Sequence, residues 1–112
     1  MKTILPICPC RDWERAQQNG EYAAASLGTE GIPCSAPEQV AKTANRFYRG
    51  QQDLLLLVIA AGRVAAEIRY EAADGGGDLF PHLCGPLNLE AVTDAREFAS
   101  DADGTFQPPN LA

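Results

Sequence analysis

The chain has 112 residues, 46% of them hydrophobic and 21% charged, with a net charge of −6. That length fits one domain, expected over residues 1–112 with its core at about 3–106, and buries roughly 60–70% of the extended surface, enough for a core without staples. The negative charge argues against general nucleic-acid binding and against docking on anionic membranes, and the longest apolar run, Leu54 to Ala61, is too short to span a bilayer.

Met1-Lys2-Thr3-Ile4-Leu5-Pro6 lacks the apolar stretch of a signal peptide, so the expected location is the cytoplasm, with the four cysteines as free thiols. Ile4 to Cys8 reads as a strand; Pro6 inside it makes it an edge strand or one with an outward-facing N–H. A short helix follows from about Arg11 to Gln18, with Trp13 and Ala16 on one side and Asn19-Gly20 as its stop. Glu21 to Ser35, interrupted by Gly28, Gly31 and Pro33, allows only brief extended pieces.

Ser35-Ala36-Pro37-Glu38 has the form of a capping box, with Ser35 as N-cap. The helix it opens should run to about Arg49 and stop at Gly50. Val40, Ala41, Ala44, Phe47 and Tyr48 form its apolar stripe, and Lys42, Arg46 and Arg49 a basic one. Leu54 to Ala60 is apolar on both faces and reads as the central strand. A turn at Ala61-Gly62-Arg63 leads to Glu67–Glu71, where charged and apolar residues alternate as in a half-buried strand. A glycine-rich turn at Ala73 to Asp78, a strand at Leu79 to Leu83, a turn or brief helix near Asn88 to Ala91, and a strand at Val92 to Phe98 complete the elements. Asp101 to Gly104 is a turn, and the tail at 107–112, with Pro108-Pro109, is expected to be extended and loose. The pattern is α+β.

These landmarks occur in order: Asp12-Trp13-Glu14, Gly20-Glu21-Tyr22 with Ser26-Leu27, Glu30-Gly31, Pro37-Glu38-Gln39-Val40, Asn45-Arg46-Phe47-Tyr48-Arg49-Gly50, Leu54 to Ile59, Arg69-Tyr70-Glu71, Phe80 to Leu87, and Asp103-Gly104. In that order they resemble the small bacterial family known as domain of unknown function 952. The resemblance implies a compact ADP-ribosyltransferase-like fold: two small mixed or antiparallel sheets around a cleft, with two short helices. It also implies a nucleotide-type cleft that holds NAD in active relatives, making the chain at most a divergent transferase. The family pattern has histidine at the positions of Pro33 and Pro6 (lysine in some members at the latter) and tyrosine at that of Cys84. Those departures imply degenerate or altered chemistry.

His82, the only histidine, is a candidate general acid or base, or alternatively a residue whose ring holds the Pro81–Pro86 loop. Ser35, Arg49 and His82 are candidate ligand contacts, and Glu71 a candidate for a ribose hydroxyl. Trp13 and Tyr22 are either stacking platforms or core residues. Cys34 before a helix N-terminus is a candidate reactive thiolate. A thiol- or zinc-binding module built from Cys8, Cys10, Cys34, His82 and Cys84 is an alternative, since Cys-x-Cys and His-x-Cys together supply enough ligands. A non-catalytic interaction protein is a third reading.

Overall fold

The computed structural model describes residues 2–23, 31–72 and 79–109. Among these residues it contains two α-helices and nine short strands, all paired antiparallel. The expected glycine turn at 73–78, the Ser26-Leu27 landmark and the end of the tail at 110–112 lie outside the described residues.

The expected first strand is two pieces, β1 (Thr3–Ile4) and β2 (Ile7–Pro9), separated by Leu5-Pro6. Both pair with β5 (Leu54–Ala60) in one continuous register, Thr3 opposite Ala60 and Pro9 opposite Leu54. The Pro6 carbonyl accepts from the Leu57 N–H at 3.2 Å, so Pro6 faces β5 and its missing donor interrupts the ladder there. Of the two readings the edge strand holds, since β1 and β2 pair with β5 alone in their sheet, and the outward-facing N–H does not. β9 (Val92–Glu97) flanks β5 on its other side, with a bulge between Val58 and Ile59 that leaves Thr93 unpaired. Its hydroxyl donates to the Val58 carbonyl at 3.1 Å.

β5 is central and both its faces are buried. Ile4, Cys8, Leu57 and Ile59 point into one core with Ile32, Leu83, Leu87 and Tyr22. Leu5, Leu54 and Leu56 point into another with Val40, Ala44, Phe98 and Phe106. Strand residues alternate in facing, so a strand sandwiched on both sides needs an unbroken apolar run, as at Leu54 to Ala60.

α1 (Cys10–Asn19) supports the first core through Ala16 and the half-buried Trp13. It ends at Gly20, whose φ of 84° lets its N–H return to the Ala16 carbonyl at 2.8 Å. Two brief strands within the stretch expected to be irregular are β3 (Glu21–Tyr22), paired with β8 (Leu87–Asn88), and β4 (Ile32–Pro33). The remaining sheet has the order β4–β7–β6, with β7 at Leu79–Leu83 and β6 at Ile68–Ala72. Gly31 enters it at φ 81°, and a Cβ there would run into the Leu83 carbonyl oxygen.

Ser35 does not cap a helix. Its N–H and C=O bond reciprocally with Leu5, at 2.9 and 2.8 Å, which joins the two larger sheets at their edges. The reciprocal capping bond belongs to Gln39. Its Oε1 accepts from the Ala36 N–H at 2.9 Å while its own N–H donates to the Ala36 carbonyl. α2 (Val40–Phe47) then packs Val40 and Ala44 on the sheet. Phe47, expected in the apolar stripe, is exposed against Arg46. Asn45 clamps the C-terminal segment: its Oδ1 accepts from the Phe106 N–H at 2.6 Å and its Nδ2 donates to the Phe106 carbonyl at 3.0 Å. The Phe106 ring stacks on Phe98 at 4.8 Å.

Candidate functional site

The register of the β4–β7–β6 sheet sorts its side chains. Ile32, Leu83 and Ile68 stand level with one another on the face turned to the first core. Pro33, His82 and Arg69 stand level on the opposite face, and Phe80 and Glu71 are level one step along it. Ser35, two residues past Pro33, lies beyond the end of β4 and pairs with Leu5. His82 and Glu71 are thus diagonal neighbours on adjacent strands, a spacing of about 7–8 Å that long side chains bridge. The register thus sets His82 and Glu71 on one face, with Arg69 and Phe80 beside them. Arg69 was legible in the alternation of Glu67, Arg69 and Glu71; that it stands beside His82 depends on a register no local pattern specifies.

His82 is 8% exposed although it lies on the polar face. Its Nδ1 is 2.8 Å from the Phe80 carbonyl oxygen. A carbonyl only accepts, so Nδ1 carries the proton, and Nε2 is the nitrogen that accepts whenever the ring is neutral. That bond fixes the ring on its own strand. Arg69 donates from Nε to Glu67 Oε2 at 2.8 Å, and this bond first, then the charge of Glu67, holds the guanidinium more firmly protonated. Ser35 is buried, and its hydroxyl lies 3.4 Å from that of Thr43 on α2. Gln39 reaches the same sheet by donating from Nε2 to the Leu79 carbonyl at 3.0 Å.

Arg49 is not with this group. It sits beyond the other end of α2, against the Gly104 turn. There Asp103 is held below the usual carboxylate range, first by the Thr105 hydroxyl and more weakly by the charge of Arg49.

The cysteines are dispersed. Among the described residues no three His, Cys, Asp or Glu side chains form a group able to hold a metal ion. Cys8, Cys10, Cys34, His82 and Cys84 therefore do not supply the shared site considered from their spacing. Cys34 is buried against the Ile32 carbonyl, and burial pushes its thiol well up from the ordinary range. It is not the reactive thiolate anticipated, because α2 begins at Val40 and offers Cys34 no adjacent helix end. Burial likewise pushes Cys8 up to about 11, partly opposed by a hydrogen bond with the Tyr22 hydroxyl. Tyr22 is thus a core residue, and its phenol is raised by burial. Cys84 alone of the four is exposed, just past the end of β7, with its Sγ 3.8 Å from the His82 carbonyl oxygen.

Two open grooves lie elsewhere. One of about 670 Å³ runs along Gly50–Leu55 and Glu97–Ala102. The other, about 460 Å³, lies between α1 and β3 beside Asp12, Arg15 and Tyr22. The first is larger, but its walls are chain turns with amide and carboxylate side chains and no group poised to exchange a proton near neutrality. His82 lines neither groove.

The family described as protein of unknown function (DUF952) matches residues 7–95. The chain belongs to it. The matched region holds every residue of the His82 face and leaves out β1 and Phe106. Among solved structures, the chain is similar to Protein CC0527 from Caulobacter crescentus. It is 36% identical to the crystal structure of that protein, which it matches with a TM-score of 0.83 over 94% of this chain and 93% of the other. A double mutant of CC0527 gives the same values. The solution NMR structure gives 0.82 over 96% and 93%. Comparison with the curated proteins gives no match. No helix among the described residues is long and apolar enough to cross a membrane.

Proposed function

We propose that the face built around His82 binds a small molecule of nucleotide type, with NAD and ADP-ribose as the reference candidates, and that transferase chemistry there is degenerate or altered. One observation carries the reading: a nearly buried imidazole, on a polar sheet face, with one nitrogen fixed by the Phe80 carbonyl and the other presenting a lone pair whenever the ring is neutral. Glu71 adds a second acceptor in diagonal reach, and the partly buried Phe80 ring, level with Glu71 and two residues from His82, offers a surface for a planar group. Acceptors beside an aromatic ring suit ribose hydroxyls beside a base. The resemblance to ADP-ribosyltransferase-like folds points to the same ligand class.

Catalysis is weakened in this reading because the groups directly level with His82 are Pro33, which has no donor, and Arg69, which cannot orient an imidazole as a carboxylate does. Isothermal titration with NAD and ADP-ribose tests binding. His82→Ala should weaken the interaction at least about tenfold, and His82→Gln should restore part of it by returning an acceptor. No heat change at millimolar ligand refutes the proposal.

A further inference from the structure

We infer that the His82 face selects the uncharged part of such a ligand, a nucleoside-like molecule with a planar ring and vicinal hydroxyls, and discriminates against phosphate. The inference rests on the binding reading above and concerns which end of the ligand the face accepts.

Phosphate sites in proteins use arginine forks, lysine, or free backbone N–H groups at a helix start. On the strands of this face the one arginine shares its charge with carboxylates, and lysine is missing. Arg69 is the only cation on the strands of this face, and its Nε is committed to Glu67 at 2.8 Å, with Glu71 two residues along adding further negative field. The carboxylates therefore outnumber the guanidinium. Lys2 serves the opposite face of the sheet, with its ammonium 4.4 Å from the Tyr70 ring centre. The sequences at 24–30 and 73–78, which precede β4 and join β6 to β7, contain no lysine or arginine, and carry Glu30, Asp74 and Asp78. The turn that leads into α2 offers an anion few donors. The Ala36 N–H is filled by Gln39 Oε1, Pro37 has no N–H, and the Ser35 N–H is given to Leu5. What remains is acceptor chemistry: His82 Nε2 and the Glu71 carboxylate beside Phe80. Acceptors bind hydroxyls and amide donors and repel phosphate oxygens.

Glu67 is then the specificity-determining residue, through its hold on Arg69. The test is calorimetric titration of two matched pairs, adenosine with AMP and uridine with UMP. At least one nucleoside should bind as tightly as its phosphorylated partner or more tightly, and pyrophosphate should not compete. Glu67→Gln, an exposed change, should free Arg69 and shift the preference several-fold toward the phosphorylated member. Phosphorylated forms binding at least about tenfold tighter than both nucleosides, or displacement by pyrophosphate, overturns the inference while leaving the binding reading standing. Absence of binding by all four compounds overturns both.

Discussion

Replacing Asn45 with alanine removes both halves of the clamp on Phe106. The two hydrogen bonds, at 2.6 and 3.0 Å, are the only ties the α2 side chains make to that backbone among the described hydrogen bonds. Each is worth about 1 kcal/mol net, and stranding the N–H and carbonyl of a residue only 2% exposed adds a share of the 1–3 kcal/mol desolvation cost per group. Partial solvation after relaxation offsets some of this, giving an expected loss of about 2–3 kcal/mol. For a chain of this size that lowers the melting temperature by on the order of 10 °C. Urea unfolding followed by tryptophan fluorescence measures it, with an unchanged slope showing that the native state keeps its compactness. Asn45→Asp is the informative companion. It keeps the acceptor for the Phe106 N–H but sets a carboxylate oxygen against the Phe106 carbonyl, so it should cost at least half as much. A loss below about 0.5 kcal/mol for Asn45→Ala, the level of an ordinary surface change, refutes the claim that this pair anchors the C-terminal segment.

Gly31→Ala should destabilise by at least about 2 kcal/mol in the same assay, because the added Cβ carries the cost of a positive φ and meets the Leu83 carbonyl; a neutral result contradicts the close approach of these backbones. In the native state, iodoacetamide should label Cys84 readily and leave Cys8 and Cys34 untouched until denaturant is added, as peptide mapping would show; native labelling of Cys34 refutes its burial. Stability should fall as pH rises through about 9 to 11. Both states hold the Cys8 proton below the unfolded value. Between the two values only the unfolded chain ionises, and above the raised folded value the contribution is gone. Cys8→Ala should flatten that decline relative to its own neutral-pH stability, and an unchanged slope refutes the assignment.

The elements were legible where one local rule dominated. The run Leu54 to Ala60 announced a strand buried on both faces, and Gly20 announced the end of α1, because side-chain alternation and left-handed glycine geometry act within a few residues. Ser35 misled for the opposite reason. Its position before Pro37 and Glu38 satisfies the capping pattern, yet its backbone is claimed by Leu5 from thirty positions earlier. Phe47 misled in the same way: α2 is short, and its buried face is covered by Val40 and Ala44 alone. The pairing of β6 with β7 puts His82 and Glu71 on one sheet face, whereas Arg49 lies beyond the far end of α2, because helical spacing gives direction and not distance. That Arg69 is the neighbour of His82 follows from pairing between β6 and β7, which no pattern within either strand contains.

Pro6 and the bulge at Thr93 have a consequence beyond their own hydrogen bonds. Most strands resist slipping because a one-residue shift would turn their apolar side chains to water. β5 has little such protection of its own, since every residue from Leu54 to Ala60 is apolar. What distinguishes one alignment from the next is the pair of notches beside it: the absent donor at Pro6, which fits opposite Leu57, and the extra residue at Thr93, which fits opposite Val58 and Ile59. They work as a key on each side of a featureless blade. Sequences that smoothed both notches would keep the composition of the core and lose the means of choosing a single alignment.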